Sequence, residues 1–180
     1  MGKRSSFERV ERDFYPTPLK AVLPLMHHVR VGSRFIEPCA GNGALVAHLE
    51  AMNLCTLDAF DIEPRADYIK KADAMDTWRL NQASLEGCDY IITNPPWDRK
   101  ILHPMIEHFS AIRPTWLLFD SDWVHTRQSA PFQPYLRKIV SVGRVKWIPD
   151  SKMTGKDNCQ WHLFDQTGAF TGQTQFFGRA

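Results

Sequence analysis

Two periodicities alternate along this chain. Short runs of β-branched and aromatic residues, bounded by Gly, Pro, Asn or Asp, trade places with stretches in which apolar residues recur at helical spacing. Arg34–Glu37 reads as a short strand that runs straight into the turn Pro38-Cys39-Ala40-Gly41-Asn42-Gly43. Helical periodicity follows over Ala44–Met52, with Leu45, His48 and Leu49 on one face. Thr56–Ile62 reads as a second strand closed by Glu63-Pro64, and Ala66–Asp73 is expected to hold a short helix and a weak third strand. Asp89–Thr93 is a buried strand stopped by two prolines, which cannot continue a central ladder. An amphipathic helix is expected over Ile101–Ala111, with its start near Pro104. Trp116–Asp120 is the next strand, and Gln128–Leu136, carrying Pro131 and Pro134, reads as loop or broken helix. Two β-rich runs close the pattern, Ile139–Ile148 and Gln160–Phe164. Strands alternating with helices predict an α/β fold: a mostly parallel sheet with helices on both faces and the last two runs as an antiparallel edge pair. The aromatic tail from Thr167 has no place in this pattern.

Composition narrows the class. At 180 residues the chain is expected to form one domain, without length for a second unit. Apolar residues at 43% and charged residues at 23% match globular averages, which excludes a wholly disordered or fibrous chain. No apolar run approaches bilayer-spanning length, and no secretory signal opens the sequence. Cysteines 39, 55, 88 and 159 form no C-x-x-C pair, which suits reduced thiols in a cytoplasmic protein and offers no metal site. His27-His28 has no acidic or cysteine neighbour that would complete one. A formal net charge of +2 neither requires nor excludes a nucleic-acid partner.

Candidate chemistry collects at strand ends. Gly41 and Gly43 let the backbone turn tightly and approach a ligand without a Cβ in the way. Asp61 lies twenty residues beyond Gly41, at the end of the next strand, where a carboxylate can accept from both hydroxyls of a ribose. A dinucleotide fingerprint asks for Gly or Ala three residues after Gly43, and Val46 stands there. A plain strand-to-helix turn explains the same spacing.

Asn94-Pro95-Pro96-Trp97 follows the buried strand, so it shares a sheet edge with Gly41 and Asp61. Two prolines remove two donors and leave rigid carbonyls free to accept. The Asn94 side-chain oxygen and the Pro95 carbonyl can both accept from one planar –NH₂ group, and Trp97 offers a face for a flat ring. An exocyclic amine is a poor nucleophile because its lone pair is delocalised into the ring. Two acceptors gripping its N–H bonds favour a pyramidal nitrogen and localise that pair. The bland alternative is a Pro-rich turn with Trp97 in the core.

Together these elements resemble the class I S-adenosylmethionine-dependent methyltransferases of the amino-methylating kind. The chain is most similar to the adenine-N6 DNA methyltransferases, in a compact form of the sort found in phages and prophages. Asp13-Phe14-Tyr15-Pro16-Thr17-Pro18 resembles the motif whose Tyr, Thr and backbone hold the methionine end of the cofactor, which implies that role for Tyr15 and Thr17. Glu37 through Gly43, including Cys39, Ala40 and Gly41, resembles the motif packed against the same moiety. Phe60-Asp61-Ile62-Glu63-Pro64 resembles the ribose-binding strand end, and Ala72-Asp73-Ala74-Met75 the stretch whose carboxylate meets the adenine amino group. Asn94–Trp97 resembles the catalytic tetrapeptide. The resemblance covers roughly residues 13–97 and implies S-adenosylmethionine as cofactor and transfer to the adenine N6 amine in DNA. Family members often carry a separate target-recognition domain, for which this chain is expected to have no length.

Beyond the tetrapeptide, residues 137–156 hold Arg137, Lys138, Arg144, Lys146, Lys152 and Lys156 against the single acid Asp150, with Trp147 among them. Arg144, Lys146, Trp147, Lys152 and Lys156 are the nucleic-acid-binding candidates; a solvated hairpin explains the same charges. Asp120 and Asp122 end a strand, where capping carboxylates are commoner than acid–base pairs. An RNA base or a protein glutamine amide would present the same amine problem to Asn94. A non-catalytic cofactor-binding subunit is the alternative from another class.

Overall fold

The computed structural model describes residues 14–79, 85–148 and 154–179. Five strands run parallel or nearly so through the first two thirds: β1 (Arg34–Glu37), β2 (Cys55–Asp61), β3 (Lys70–Lys71), β4 (Tyr90–Thr93) and β5 (Thr115–Asp120). β6 (Leu136–Arg144), β7 (Asn158–Phe164) and β8 (Gln175–Phe177) complete one eight-stranded sheet of order β3-β2-β1-β4-β5-β7-β6-β8. β7 runs antiparallel to both β5 and β6. This is the expected mostly parallel sheet with its antiparallel pair, but β8 lies beyond that pair and pairs parallel with β6.

Helices cover both faces. Successive residues of a strand point to opposite sides, so Phe35, Ile92, Trp116 and Leu118 join one core with α1 (Leu19–Val22), the 3-10 turn Leu23–His27 and α2 (Ala44–Ala51). Ile36, Ile91, Leu117 and Phe119 join the other core with α3 (Arg99–Ile112) and the 3-10 turns Ser121–His125 and Arg127–Tyr135. Trp116 through Phe119 are 0% exposed, which explains why β5 reads as an unbroken apolar run.

Four expectations need correction. Ala66–Asp73 forms no helix: Ile69 N–H closes a turn on the Ala66 carbonyl, and only Lys70–Lys71 pairs as a strand. α3 begins two residues earlier than the Ile101 limit, because Asp98 caps it by accepting from Lys100 N–H at 2.9 Å; Pro104 lies inside the helix. β6 spans Leu136–Arg144, shifted toward the N-terminus from Ile139–Ile148. The stretch expected as loop or broken helix is a 3-10 segment, Arg127–Tyr135, and Leu136 already belongs to β6.

The tail is placed by Asp165. Its buried carboxylate accepts from Thr167 N–H (2.9 Å), the Thr167 hydroxyl (2.6 Å) and Phe170 N–H (2.6 Å), turning the chain back toward β6. Phe177 then packs on His28 with ring centroids 4.3 Å apart, while Phe176 stays 66% exposed. Among the described residues no helix is long and apolar enough to cross a membrane, and the four cysteines are free thiols.

Candidate active site

Parallel strands deliver their carboxyl ends to one edge of the sheet, and the functional cleft lies there. Glu37 closes β1, Asp61 closes β2, Asp73 follows β3 and Asn94 follows β4. The cleft holds about 670 Å³, within the usual range for small-molecule sites. Tyr15, Thr17, Glu37, Cys39, Ala40, Gly41, Asp61, Ile62, Asp73, Ala74, Asn94 and Pro96 line it. Gly43, Pro95 and Trp97 stay outside that lining; the first two are buried and Trp97 is half-buried against both cores. The sequence reading missed the far wall, which α3 supplies through Lys100, Ile101, Pro104 and Met105. Its signal was the Asp98 cap, which brings the first turn of α3 up to the Asn94 element.

The glycine turn is shaped by the protein's own side chains. Gly41 has φ +53° and Gly43 φ +78°. A Cβ on Gly43 would stand 1.8 Å from the Tyr68 hydroxyl, and one on Gly41 2.7 Å from the Phe14 ring. Two aromatic side chains of the protein itself thus pack against this turn, and Gly41 also lines the cleft. Arg65 lies over the Phe14 ring at 4.0 Å from its centroid and donates its backbone N–H to the Gly41 carbonyl at 2.9 Å. Phe14, Arg65 and Tyr68 carry no local spacing signal, since each meets the turn from more than twenty residues away.

Asp61 and Glu37 play opposite electrostatic parts. Asp61 accepts from Gly41 N–H through one oxygen and from Glu63 N–H through the other, both at 2.8 Å. Each oxygen keeps lone-pair capacity for a further donor. Asp73 similarly accepts from Met75 N–H at 2.9 Å. Glu37 is 1% exposed, and its Oε2 has no hydrogen-bond partner. Burial, and then the neighbouring Asp61 charge, push its pKa well above the usual carboxylate value, against a hydrogen bond from the Val46 backbone. The same two causes raise the Cys39 thiol, which keeps it out of thiolate chemistry.

At the end of β4, the Asn94 amide nitrogen donates to the Thr17 hydroxyl at 3.2 Å. The Asn94 oxygen accepts from the Trp97 indole N–H at 3.3 Å, which also reaches the Leu118 carbonyl at 3.2 Å. Trp97 in turn meets Trp147 edge to face, with centroids 5.8 Å apart. Trp147 belongs to the basic segment, where Arg144, Lys146 and Lys156 are exposed and Gly155 N–H ties its two arms by donating to the Val145 carbonyl at 2.8 Å. Lys152 lies outside the described residues, as do Asp13 and Asp150. Arg137 and Lys138 are engaged elsewhere. The former donates to the Phe170 carbonyl at 3.0 Å, and the latter lies over the Phe170 ring at 5.5 Å.

Asp120 and His162 fall into structural places. Asp120 caps a 3-10 turn by accepting from Asp122 N–H at 3.0 Å, the capping role the sequence favours. His162 is 0% exposed and stacks on Phe119 with centroids 3.8 Å apart; burial lowers its pKa to about 3.

No protein-family model and no curated protein matches the chain. Solved structures do. A Listeria monocytogenes protein described as a class I S-adenosylmethionine-dependent methyltransferase aligns with a TM-score of 0.57 at 8% identity, over 96% of this chain and 68% of that one. The E. cuniculi Mtq2–Trm112 complex, responsible for methylation of the eRF1 translation termination factor, gives 0.56 at 13% identity over 85% and 99%. A modification subunit of a type I restriction enzyme from Vibrio vulnificus gives 0.51 at 12% identity over 92% and 47%. The chain thus has the Rossmann-like fold of the class I S-adenosylmethionine-dependent methyltransferases.

Proposed function

We propose that the chain transfers a methyl group from S-adenosylmethionine to the exocyclic N6 amine of adenine in DNA. The observation that carries this reading is the meeting of Asn94 and Pro96 with Glu37, Asp61 and Asp73 in one cleft. An amine-gripping element and a nucleoside-sized pocket that carries these three carboxyl groups share one wall. Glu37 tests the fit of the cofactor: a buried carboxyl oxygen without a partner, facing the cleft, is an acceptor for the donors of a methionine moiety. Tyr15 and Thr17 would hold that same end, Asp61 the ribose and Asp73 the adenine amine. When bound, the cofactor supplies an electrophilic sulfonium methyl.

The chain's own residues prepare the nucleophile. The free lone pair of the Asn94 oxygen accepts one N–H of the target amine, and the Pro95 carbonyl accepts the other. This localises the nitrogen lone pair toward the cleft. No general base of shifted pKa is needed, since an alkylated arylammonium is a strong acid. Holding two substrates in line accounts for much of the acceleration.

The Trp147–Trp97 contact favours a nucleic acid, because it sets the exposed cations Arg144, Lys146 and Lys156 beside the amine-gripping element. The target base would leave its stack to reach Asn94. A second reading, an RNA base or a protein glutamine amide, is supported by the likeness to the Mtq2–Trm112 complex. Parallel assays with labelled S-adenosylmethionine on unmethylated DNA, total RNA and protein lysate decide among them. N6-methyladenine in DNA, lost in Asn94→Ala, is the expected result. Label confined to RNA or protein would replace the substrate and keep the chemistry. Cofactor binding without transfer to any of the three would point to a non-catalytic subunit.

A further inference from the structure

A carboxamide has two ends of opposite hydrogen-bonding sense, and only one orientation of Asn94 presents an acceptor to an amine. Its nitrogen meets the Thr17 hydroxyl at 3.2 Å and its oxygen meets the Trp97 indole N–H at 3.3 Å. These neighbours differ in what they permit. A threonine hydroxyl donates or accepts, so it tolerates either amide orientation. An indole N–H only donates. Turning the Asn94 amide over would set –NH₂ against N–H, donor against donor. The orientation is therefore decided at Trp97.

The indole has little freedom to follow a turned amide. Its N–H is shared with the Leu118 carbonyl at 3.2 Å, on β5, the strand paired with β4. Its ring packs against both cores and stands edge-on to Trp147. The framework of the sheet thus fixes Trp97, and Trp97 fixes Asn94.

We propose that Trp97 is a positioning residue, whose indole N–H, anchored on the Leu118 carbonyl, holds the Asn94 oxygen as the acceptor for the target amine. This rests on the methyl-transfer reading above and adds to Trp97 a role distinct from offering a ring face to a base. One consequence is stoichiometric: the indole occupies one lone pair of the Asn94 oxygen. A single N–H of the substrate can be gripped there, and the second falls to the Pro95 carbonyl.

Trp97→Phe keeps a flat ring and removes the donor. Steady-state transfer from labelled S-adenosylmethionine to unmethylated DNA should show kcat reduced about tenfold or more, with KM for DNA changed by less than about threefold. Affinity for S-adenosylhomocysteine, measured by calorimetry, should stay near wild type. A ring that only stacks would raise KM and leave kcat intact, and that outcome overturns the proposal. An independent readout uses the cofactor-free protein labelled with ¹⁵N-tryptophan, which has six indole N–H groups. The signal absent from Trp97→Phe should shift and exchange faster in Asn94→Ala; an unchanged signal overturns the lock. Should the phenyl variant fail to fold, comparing wild type with Asn94→Ala carries the test, because an indole must then lose its acceptor. Wild-type protein that methylates neither DNA, RNA nor protein would remove the methyl-transfer reading, whereas the indole signal still judges the lock.

Discussion

The parallel and antiparallel halves of this sheet share β5 and do different work. In the parallel half every strand ends at the same edge, so Glu37, Asp61, Asp73 and Asn94 gather there although the outermost pair lies 57 positions apart in sequence. In the antiparallel half β7 returns between β5 and β6, and its side chains go into the core. Trp161 donates to the Ala21 carbonyl at 2.8 Å, and His162 stacks on Phe119 at 3.8 Å. Each half holds an ionisable group whose charged form burial disfavours, Glu37 in the first and His162 in the second. Glu37 faces a cleft that a donor can enter, while His162 is closed in by aromatic rings. Strand direction, more than residue type, separates chemistry from packing here.

The sharpest way to break this contrast is Asn94→Ala. It removes the acceptor from the amine and leaves Asp61 and Glu37 in place, so transfer should fall by about a thousandfold while cofactor affinity holds. Transfer at the wild-type rate, in the labelled-methyl assay, would return Asn94 to a structural role. Asp61→Ala should come next. It deprives both Gly41 N–H and Glu63 N–H of their acceptor, as well as the ribose. Cofactor affinity, read by calorimetry, should weaken about a hundredfold, the loss of one to two hydrogen bonds to a charged group. An unchanged dissociation constant would mean that Asp61 only shapes the loop.

The same contrast explains what could be read from sequence. Asn94, Asp61 and Glu37 were legible because each ends a short apolar run, and a parallel sheet converts that local feature into a shared edge. Phe14, Arg65 and Tyr68 were not, since they reach the glycine turn across more than twenty residues and no periodicity records the contact. The third-strand region failed for a related reason: Ala66–Ile69 is held as a turn against that glycine loop, which overrides its helical propensity. β8 was invisible because three residues are too few to show alternation, and its placement depends on the turn built around Asp165. α3 starts at Arg99, before the Pro104 that marks a helix start in the sequence, because the Asp98 carboxylate caps it.

His162 sharpens the comparison from the packing side. Its folded pKa of about 3 lies below the ordinary value of 6.5. Between those values the unfolded chain binds a proton that the folded chain refuses, so stability is complete above pH 6.5 and falls as pH drops below it. The loss between pH 6.5 and 5 should be about 2 kcal/mol. His162→Phe keeps the stack on Phe119 and removes that proton. Urea unfolding at the two pH values should show the wild-type difference shrink by about that amount, with transfer at neutral pH unaffected. Equal pH dependence in the two proteins would mean that His162 does not control acid sensitivity.

The smallest expected effect tests whether the antiparallel half contributes to function at all. Arg144, Lys146 and Lys156 are exposed, and Trp147 touches Trp97, so this half meets the amine-gripping element through one aromatic contact. Cations that neutralise phosphates release counterions, and each such contact steepens the fall of log affinity with log salt by about 0.9. Reversing Arg144 and Lys156 to Glu should flatten that slope by about two and weaken DNA binding, while leaving cofactor affinity and Tm close to wild type. An unaltered slope would identify the segment as a solvated hairpin. The nucleic acid would then be gripped wholly from the parallel edge, with Trp147 reduced to packing behind Trp97.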